Sequence, residues 1–323
     1  MYRMMTHSRI TQLKVLLKKQ GIYTFLVILF ISSSILSPAF SNPQNLRDIL
    51  NQAAALGMVS IGQTLVILLG HGCLDLSVAS VMATAAVIAA KNTEGQNALL
   101  LPVAMICVLF GMLVGLANGL LITKRRVQPF MATIGMMIIV QGLRFMYTKG
   151  APKGDFPPLL RFLGTGKIGP FPMSIISLAI LAGVAAIVLK KTILGRQIYV
   201  IGGNSRAGNL SGYSVHLIVI VTYMISGFTA AIAGLYLGGW LGTSDNWIGK
   251  GYDLNSVAAV AIGGTSLQEG GRGGIWGTLA GVLIIMMLYN IVLLLHLPVQ
   301  AQYIVKGGVI IFAAYFYVRK VIR

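Results

Sequence analysis

LLLPVAMICVLFGMLVGLANGLLI, Leu99–Ile122, runs without a charged side chain into Lys124, Arg125 and Arg126. A helix of roughly 20 residues crosses a hydrocarbon core of about 30 Å, so this run is long enough to span a membrane once. Polar and apolar residues do not alternate along it as they do in the strands of a membrane barrel. The cationic cluster at its end is of the kind retained on the cytoplasmic side. Similar runs recur along the chain, whose 323 residues are 56% apolar and 10% charged, with a mean hydropathy of +0.82. Soluble domains carry about 25% charged residues, so the composition predicts a polytopic membrane protein.

The formal net charge of +18 does not point to nucleic acid, because the basic residues are spread over short loops and build no single face. It reads as topology. Cys73 and Cys107 both lie in apolar context, which leaves no disulfide framework or zinc cluster, and His7, His71, His216 and His296 are scattered. No metal site is expected.

Taken in order, Met1–Gln20 carries Arg3, Arg9, Lys14, Lys18 and Lys19 and no acid before a first apolar run, Ile22–Leu36. A cleaved secretory signal would look similar, with Ala39-Phe40-Ser41 as its small-residue site, but the many later spans favour a retained helix and a cytoplasmic N-terminal segment over 1–20. Arg47–Gln52 reads as a short interfacial helix leading into a second span, Ala53–Leu69. A polar dip, HGCLDLS at His71–Ser77, precedes a third span at Val78–Ala90; Lys91–Asn97 is a small loop before the fourth span. The fifth span, Pro129–Tyr147, delivers the chain to an outer Gly/Pro-rich loop, Thr148–Pro172, and the sixth, Met173–Leu189, brings it back. Lys149, Lys153, Arg161 and Lys167 give that outer loop more positive charge than the topology rule favours.

Lys190–His216, KKTILGRQIYVIGGNSRAGNLSGYSVH, is basic, bears no carboxylate and is too long for a minimal turn between membrane helices; parity makes it cytoplasmic. A seventh span, Leu217–Leu241, leads to a loop with Asp245, Trp247, Lys250 and Tyr252. Leu254–Ile262 offers only about nine apolar residues, too few to cross alone, and GGTSLQEGGRGG follows at Gly263–Gly274. Spans at Ile275–Leu295 and Tyr303–Val318 complete about ten crossings, with both termini cytoplasmic. The expected fold is therefore all-α, a polytopic transmembrane bundle of about ten helices with short or re-entrant segments. Each half pairs a short apolar segment with a polar, glycine-bearing break, the pattern of pseudo-repeated halves around a central pathway.

Small residues recur every four positions at Gly111, Gly115 and Gly119, and at Ser226, Ala230, Gly234, Gly238 and Gly242, a spacing that lets helices pack closely in lipid. Asp75 and Ser77 stand immediately before an apolar helix and can cap it. An ionisable residue at membrane depth also suggests a polar pathway, and the two roles are compatible. Glu269 and Arg272, set among glycines, form either a flexible loop with a weak local ion pair or a tight re-entrant turn touching the pathway or a partner. GTGKIG at Gly164–Gly169 lacks the preceding strand of a dinucleotide site, and Gly249-Lys250-Gly251 lacks the Ser or Thr of a phosphate-binding loop.

At HGCLDLSVAS, LGRQIYVIGGNSRAGNLSGYSV and VAAVAIGGTSLQEGGRGGIWGTLAGV the chain resembles the permease subunits of bacterial ABC sugar importers of the ribose, xylose, galactose and autoinducer-2 type, over roughly Ala53 to Lys320. The resemblance implies one transmembrane permease domain over 1–323 in the bacterial inner membrane. Such permeases work in pairs, as two copies or two related chains, with an ATPase subunit on the inside and a solute-binding protein on the outside. It implies that ATP is handled by the partner, so the chain is not itself an enzyme and binds no cofactor. Lys190–His216 then becomes the ATPase-docking loop, with Gly202, Gly203, Asn204, Ala207, Leu210, Ser211 and Gly212 as coupling residues, while Asp75, Ser77, Gly263, Gly264 and Thr265 belong to the translocation pathway. Where the family often has an acid after the Asn, this chain has Ser205, leaving no carboxylate there for a salt bridge. His71-Gly72-Cys73 stands where Thr-Gly-Gly is usual and Ala79 replaces a common Gly, which is expected to narrow backbone freedom near Asp75. The solute implied is a sugar or sugar-like molecule. Branched-chain amino acid permeases and ion-coupled secondary transporters are the alternatives, the latter disfavoured because few carboxylates lie at depth.

Overall fold

The computed structural model describes residues 21–298, 300, 301, 303, 304, 307 and 308. The N-terminal segment 1–20 lies outside them, as does most of the last expected span. Apart from one hairpin of two short strands, the regular structure of the described residues is helical: α1 (Gly21–Leu36), α2 (Pro43–Leu68), α3 (Val78–Thr93), α4 (Leu100–Lys124), α5 (Pro129–Thr148), α6 (Pro158–Thr165), α7 (Met173–Lys191), α8 (Ile193–Gly203), α9 (Ser205–Leu210), α10 (Val215–Leu241), α11 (Tyr252–Ile262) and α12 (Ile275–Leu294). Six of these, α2, α4, α5, α7, α10 and α12, are long and apolar enough to cross a membrane.

Three sequence expectations change. Arg47–Gln52 is not a separate interfacial helix but part of α2, because the Asn42 side chain accepts from the Gln44 amide at 2.9 Å, Pro43 opens the helix, and nothing breaks it before Ala53. Lys91–Asn97 is not all loop: α3 continues to Thr93 and stops where Glu94 and Gly95 turn left-handed (φ 46° and 79°). Thr148–Pro172 holds α6 and the hairpin β1 (Lys167–Ile168) and β2 (Phe171–Pro172), paired antiparallel. Proline there starts the helix rather than breaking one. The dismissed GTGKIG stretch is the end of α6 and this hairpin, with Gly164 packed on the Trp240 backbone of α10.

Among the six spans α2 has the lowest hydropathy, 1.3, yet 89% of its most apolar window is buried; α4 has the highest, 2.7, with 33% buried. The inversion is physical. Asn51, Ser60, Gln63 and Thr64 on α2 are buried, and polar side chains in a membrane are placed against protein rather than lipid. α2 is accordingly the axis, packed by α7, α10, α11 and α12, while α4, α5 and α7 turn broad apolar faces outward.

The small-residue rows do what their spacing predicted. A Cβ on Gly111 would lie 2.3 Å from the Gly227 oxygen, and one on Gly115 2.2 Å from the Tyr223 oxygen, so α4 and α10 pack backbone to backbone. The Ser226–Gly238 row faces other neighbours: Gly62 of α2 meets the Ser226 Cα, Gly234 meets the Met82 oxygen of α3, and Gly238 meets the Phe156 ring.

Candidate functional site

Three segments far apart in sequence meet at one point: the end of α2 with the following dip, the end of α8, and the glycine-rich loop before α12. The Gly271 amide donates to the Leu68 oxygen at 2.9 Å, capturing a terminal carbonyl of α2. A Cβ on Gly202 would sit 1.8 Å from that oxygen and 2.5 Å from the Gly271 nitrogen; one on Gly270 would sit 2.5 Å from the Gly70 nitrogen and 2.7 Å from the Gly202 Cα. Tyr199 of α8 donates its hydroxyl to the Gly273 oxygen at 3.0 Å, and burial raises its pKa, which keeps the proton in place. The glycines are there because three backbones touch.

Beyond the junction the polar segment that follows α8 turns outward. Asn204 ends α8 and caps α9, its side chain accepting from the Arg206 and Ala207 amides at 3.0 and 3.1 Å. Ser211 Oγ donates to the Ala207 oxygen at 2.9 Å, and Gly212 (φ 80°) makes the left-handed turn that ends the segment. Leu210 is 84% exposed on this polar surface, and a Cβ on Gly203 would meet nothing within 4 Å. Of the residues expected to couple to a partner, Gly202 is thus in the junction, whereas Gly203, Asn204, Leu210, Ser211 and Gly212 face out.

The loop after α11 is ordered and tight. Ser266 Oγ accepts from the Glu269 amide at 2.7 Å, and Glu269 pairs with Arg272 at 3.0 Å, both exposed. Gly263 lies against Gly277 at the start of α12, Gly264 is left-handed (φ 84°), and Thr265 is buried with no partner for its Oγ1 among the described residues.

Asp75 lies on a different knot. Its Oδ1 accepts from the Ser77 amide at 3.0 Å and the Ser77 hydroxyl at 2.6 Å, and its Oδ2 accepts from Ser226 Oγ of α10 at 2.8 Å. Asn118 of α4 donates to Ser77 Oγ at 2.9 Å, and the Gln63 amide of α2, turned with its nitrogen toward Asp75, brackets that residue's backbone at 3.0 and 3.1 Å. Asp75 is 1% exposed. It therefore performs the turn into α3 and ties α2, α4 and α10 together. No hydrogen bond among the described residues joins it to Gly263–Thr265.

In the dip before Asp75 the left-handed residues are Gly70, His71 and Gly72 (φ 71°, 55° and 69°), and Cys73 is not among them. Histidine is one of the few non-glycine residues that adopt this region with any frequency. Among the described residues no group of three His, Cys, Asp or Glu is placed to hold a metal.

Six apolar helices of membrane-crossing length around a buried polar axis define a polytopic helical membrane protein. The chain belongs to the family described as "Branched-chain amino acid transport system / permease component", whose profile matches residues 45–314. It is 36% identical to the ribose import permease protein of Haemophilus influenzae, over 91% of each chain. It is 38% identical to that of Escherichia coli, over 92% of each chain. It is also 33% identical to the galactose/methyl galactoside import permease protein of Salmonella typhimurium, over 92% of this chain and 93% of the relative. No solved structure matches the chain.

Sequence reasoning missed Gln63, Asn118 and Ser226 as partners of the Asp75 turn, and Tyr199, Gly70 and Gly270 at the junction. The signal for Gln63 and Asn118 was present, since an amide side chain inside an apolar span needs a partner.

Proposed function

We propose that the chain is the membrane-spanning subunit of an ATP-driven importer for a sugar or sugar-like solute, working as a dimer. An ATPase subunit handles the nucleotide, and an extracytoplasmic binding protein delivers the solute. The named relatives are sugar permeases, which supports this reading over an amino-acid solute despite the broader family title. An ion-coupled mechanism would call for titratable carboxylates along the pathway. Among the described residues Asp75 is the buried acid, and it is engaged by three hydrogen bonds.

The observation that carries the coupling role is Leu210. A leucine 84% exposed on a polar helical segment suits a partner's groove, where a protruding apolar side chain anchors a polar rim. The α8–α9 face is then cytoplasmic, as are both termini. Movement of α8 by the ATPase passes through the Gly202–Gly270–Gly70 junction into the dip before Asp75 and the loop at Gly263–Thr265, and the pathway changes the side it faces.

Replacing Gly203 with Glu, Ser211 with Arg or Leu210 with Glu should abolish copurification of the ATPase while leaving the protein inserted, since none of the three positions is buried. Normal copurification would count against docking there. Reconstituted with ATPase and binding protein, the chain should accumulate sugar only with ATP; accumulation driven by an ion gradient without ATPase would overturn the reading.

A further inference from the structure

Between the start of α1, the end of α7 and the start of α12 lies a cavity of about 280 Å³. The glycine-rich loop closes it at Gly273 and Gly274, and Tyr199 of α8 reaches it from the junction. Lys190, the last residue but one of α7, supplies its charge, and no carboxylate lines it. The lysine is exposed and makes no ion pair among the described residues, while Glu269 of the neighbouring loop is already paired with Arg272.

No side chain caps α12, so the amides of Ile275, Trp276 and Gly277, all in the cavity wall, have no acceptor among the described residues. Over the 20 residues of that helix the aligned peptide dipoles place about half a positive charge at this end. Thr265, 1% exposed, has no partner for its Oγ1 among the described residues and aims it at Gly273 in the same wall, where a Cβ would lie 2.1 Å away. Donors without acceptors thus gather around one cation, and the ligand that matches them is a phosphate. The rest of the wall says where the phosphate comes from. Tyr23 and Trp276, 44% and 53% exposed, stand at the ends of apolar helices as an interfacial aromatic belt does. The volume is at the lower edge of small-molecule sites, about 300 Å³, which suits a lipid headgroup without its chains. From Lys190 an apolar stripe leads away along α7 through Ile187, Val184 and Ile180, each more than half exposed.

We infer that this cavity binds the phosphate of an anionic phospholipid, with Lys190 and the first amides of α12 on the phosphate and the acyl chains along the α7 stripe. The site itself needs only the membrane-spanning fold; that its leaflet is the cytoplasmic one rests on the transport reading above.

The chain has three tryptophans, so Trp240→Phe/Trp247→Phe leaves Trp276 as the reporter. The full-length variant is reconstituted in phosphatidylcholine vesicles that contain a small fraction of acyl-brominated phosphatidylglycerol or acyl-brominated phosphatidylcholine. Trp276 fluorescence should be quenched at an at least fivefold lower mole fraction of the brominated phosphatidylglycerol. Adding Lys190→Gln should reduce that preference about fivefold, the worth of one cation at a membrane surface. Lys191→Gln, outside the cavity, should leave it unchanged. Equal quenching by the two lipids, or an equal loss in both lysine variants, overturns the site. A second measurement keeps all three tryptophans. The melting temperature of the full chain in detergent should rise with added phosphatidylglycerol, and the rise should be lost in Lys190→Gln. An equal rise in that variant overturns the site, and the same rise with inorganic phosphate overturns the lipid assignment. Neither measurement involves ATPase or sugar, so failure here is distinct from failure of the transport reading, which the uptake assay above decides.

Discussion

Gly202 and Gly203 are adjacent, yet alanine should act oppositely at the two positions. At Gly202 the new Cβ would fall 1.8 Å from the Leu68 oxygen and 2.5 Å from the Gly271 nitrogen, both backbone atoms of other segments. Overpacking of this kind costs about 1–3 kcal/mol. The displaced Gly271 amide, now bonded to Leu68 at 2.9 Å, adds about 1–3 kcal/mol if it is left buried and unpaired. Partial relaxation leaves a net local cost of about 3 kcal/mol, or about a hundredfold in the opening equilibrium of the junction. At Gly203 a Cβ meets nothing within 4 Å, and alanine at the end of a helix gains up to about 1 kcal/mol over glycine. Cys73 reports the difference, because its amide donates to the Gly70 oxygen at 3.0 Å and its side chain is 8% exposed. Alkylation of Cys73 in detergent solution should quicken about a hundredfold in Gly202→Ala and stay at the parent rate in Gly203→Ala. Cys107, in the α4 core at 0% exposure, serves as the internal control. Equal Cys73 rates in the two variants would refute a contact junction.

Ser226→Ala removes the donor to Asp75 Oδ2 at 2.8 Å and leaves a buried carboxylate oxygen short of a partner. It should cost about 1–3 kcal/mol, read as a lower melting temperature. Gly227→Leu should abolish stable insertion, since a Cβ there already lies 1.9 Å from the Gly111 oxygen, while Gly135→Leu, where nothing lies within 4 Å, should leave yield unchanged. The Phe156 amide and then Arg161 hold the Asp155 carboxyl below the usual carboxylate range, so its contribution to loop stability is present above about pH 4 and lost as the pH falls further. Proteolytic protection of residues 148–172 should decline over that window in the parent and not in Asp155→Asn.

The spans were legible because length and apolarity are local properties; Leu99–Ile122 needs no neighbour to declare itself. Segment boundaries failed where short signals mattered. Asn42-Pro43 starts α2 upstream of the expected Arg47–Gln52 helix, and Pro158 opens α6 inside a Gly/Pro-rich stretch. Lys190–His216 stood out as polar, but that Gly202 faces inward and Gly203 outward depends on where α2 ends, which no local pattern encodes. Ser226 was read as a spacer in a small-residue row, and its hydroxyl acquires its chemical partner only through contact between residues 151 positions apart. Arg144 is a basic side chain within a span, and its hydrogen-bond acceptor, the Ser80 oxygen, belongs to a helix 64 positions away in the chain.

The burial of α2 also bears on how the protein is made. A segment carrying Asn51, Ser60, Gln63 and Thr64 gains little by resting in lipid alone, and α7, α10, α11 and α12, the helices that enclose it, are all synthesised later. At about 5–20 residues per second, roughly 7–30 s separate completion of α2 from the first residue of α10. During that interval the future axis of the bundle has to be sheltered by the insertion machinery, so a ribosome stalled before α10 should leave α2 there, extractable and open to degradation, while α4 is already settled among lipids.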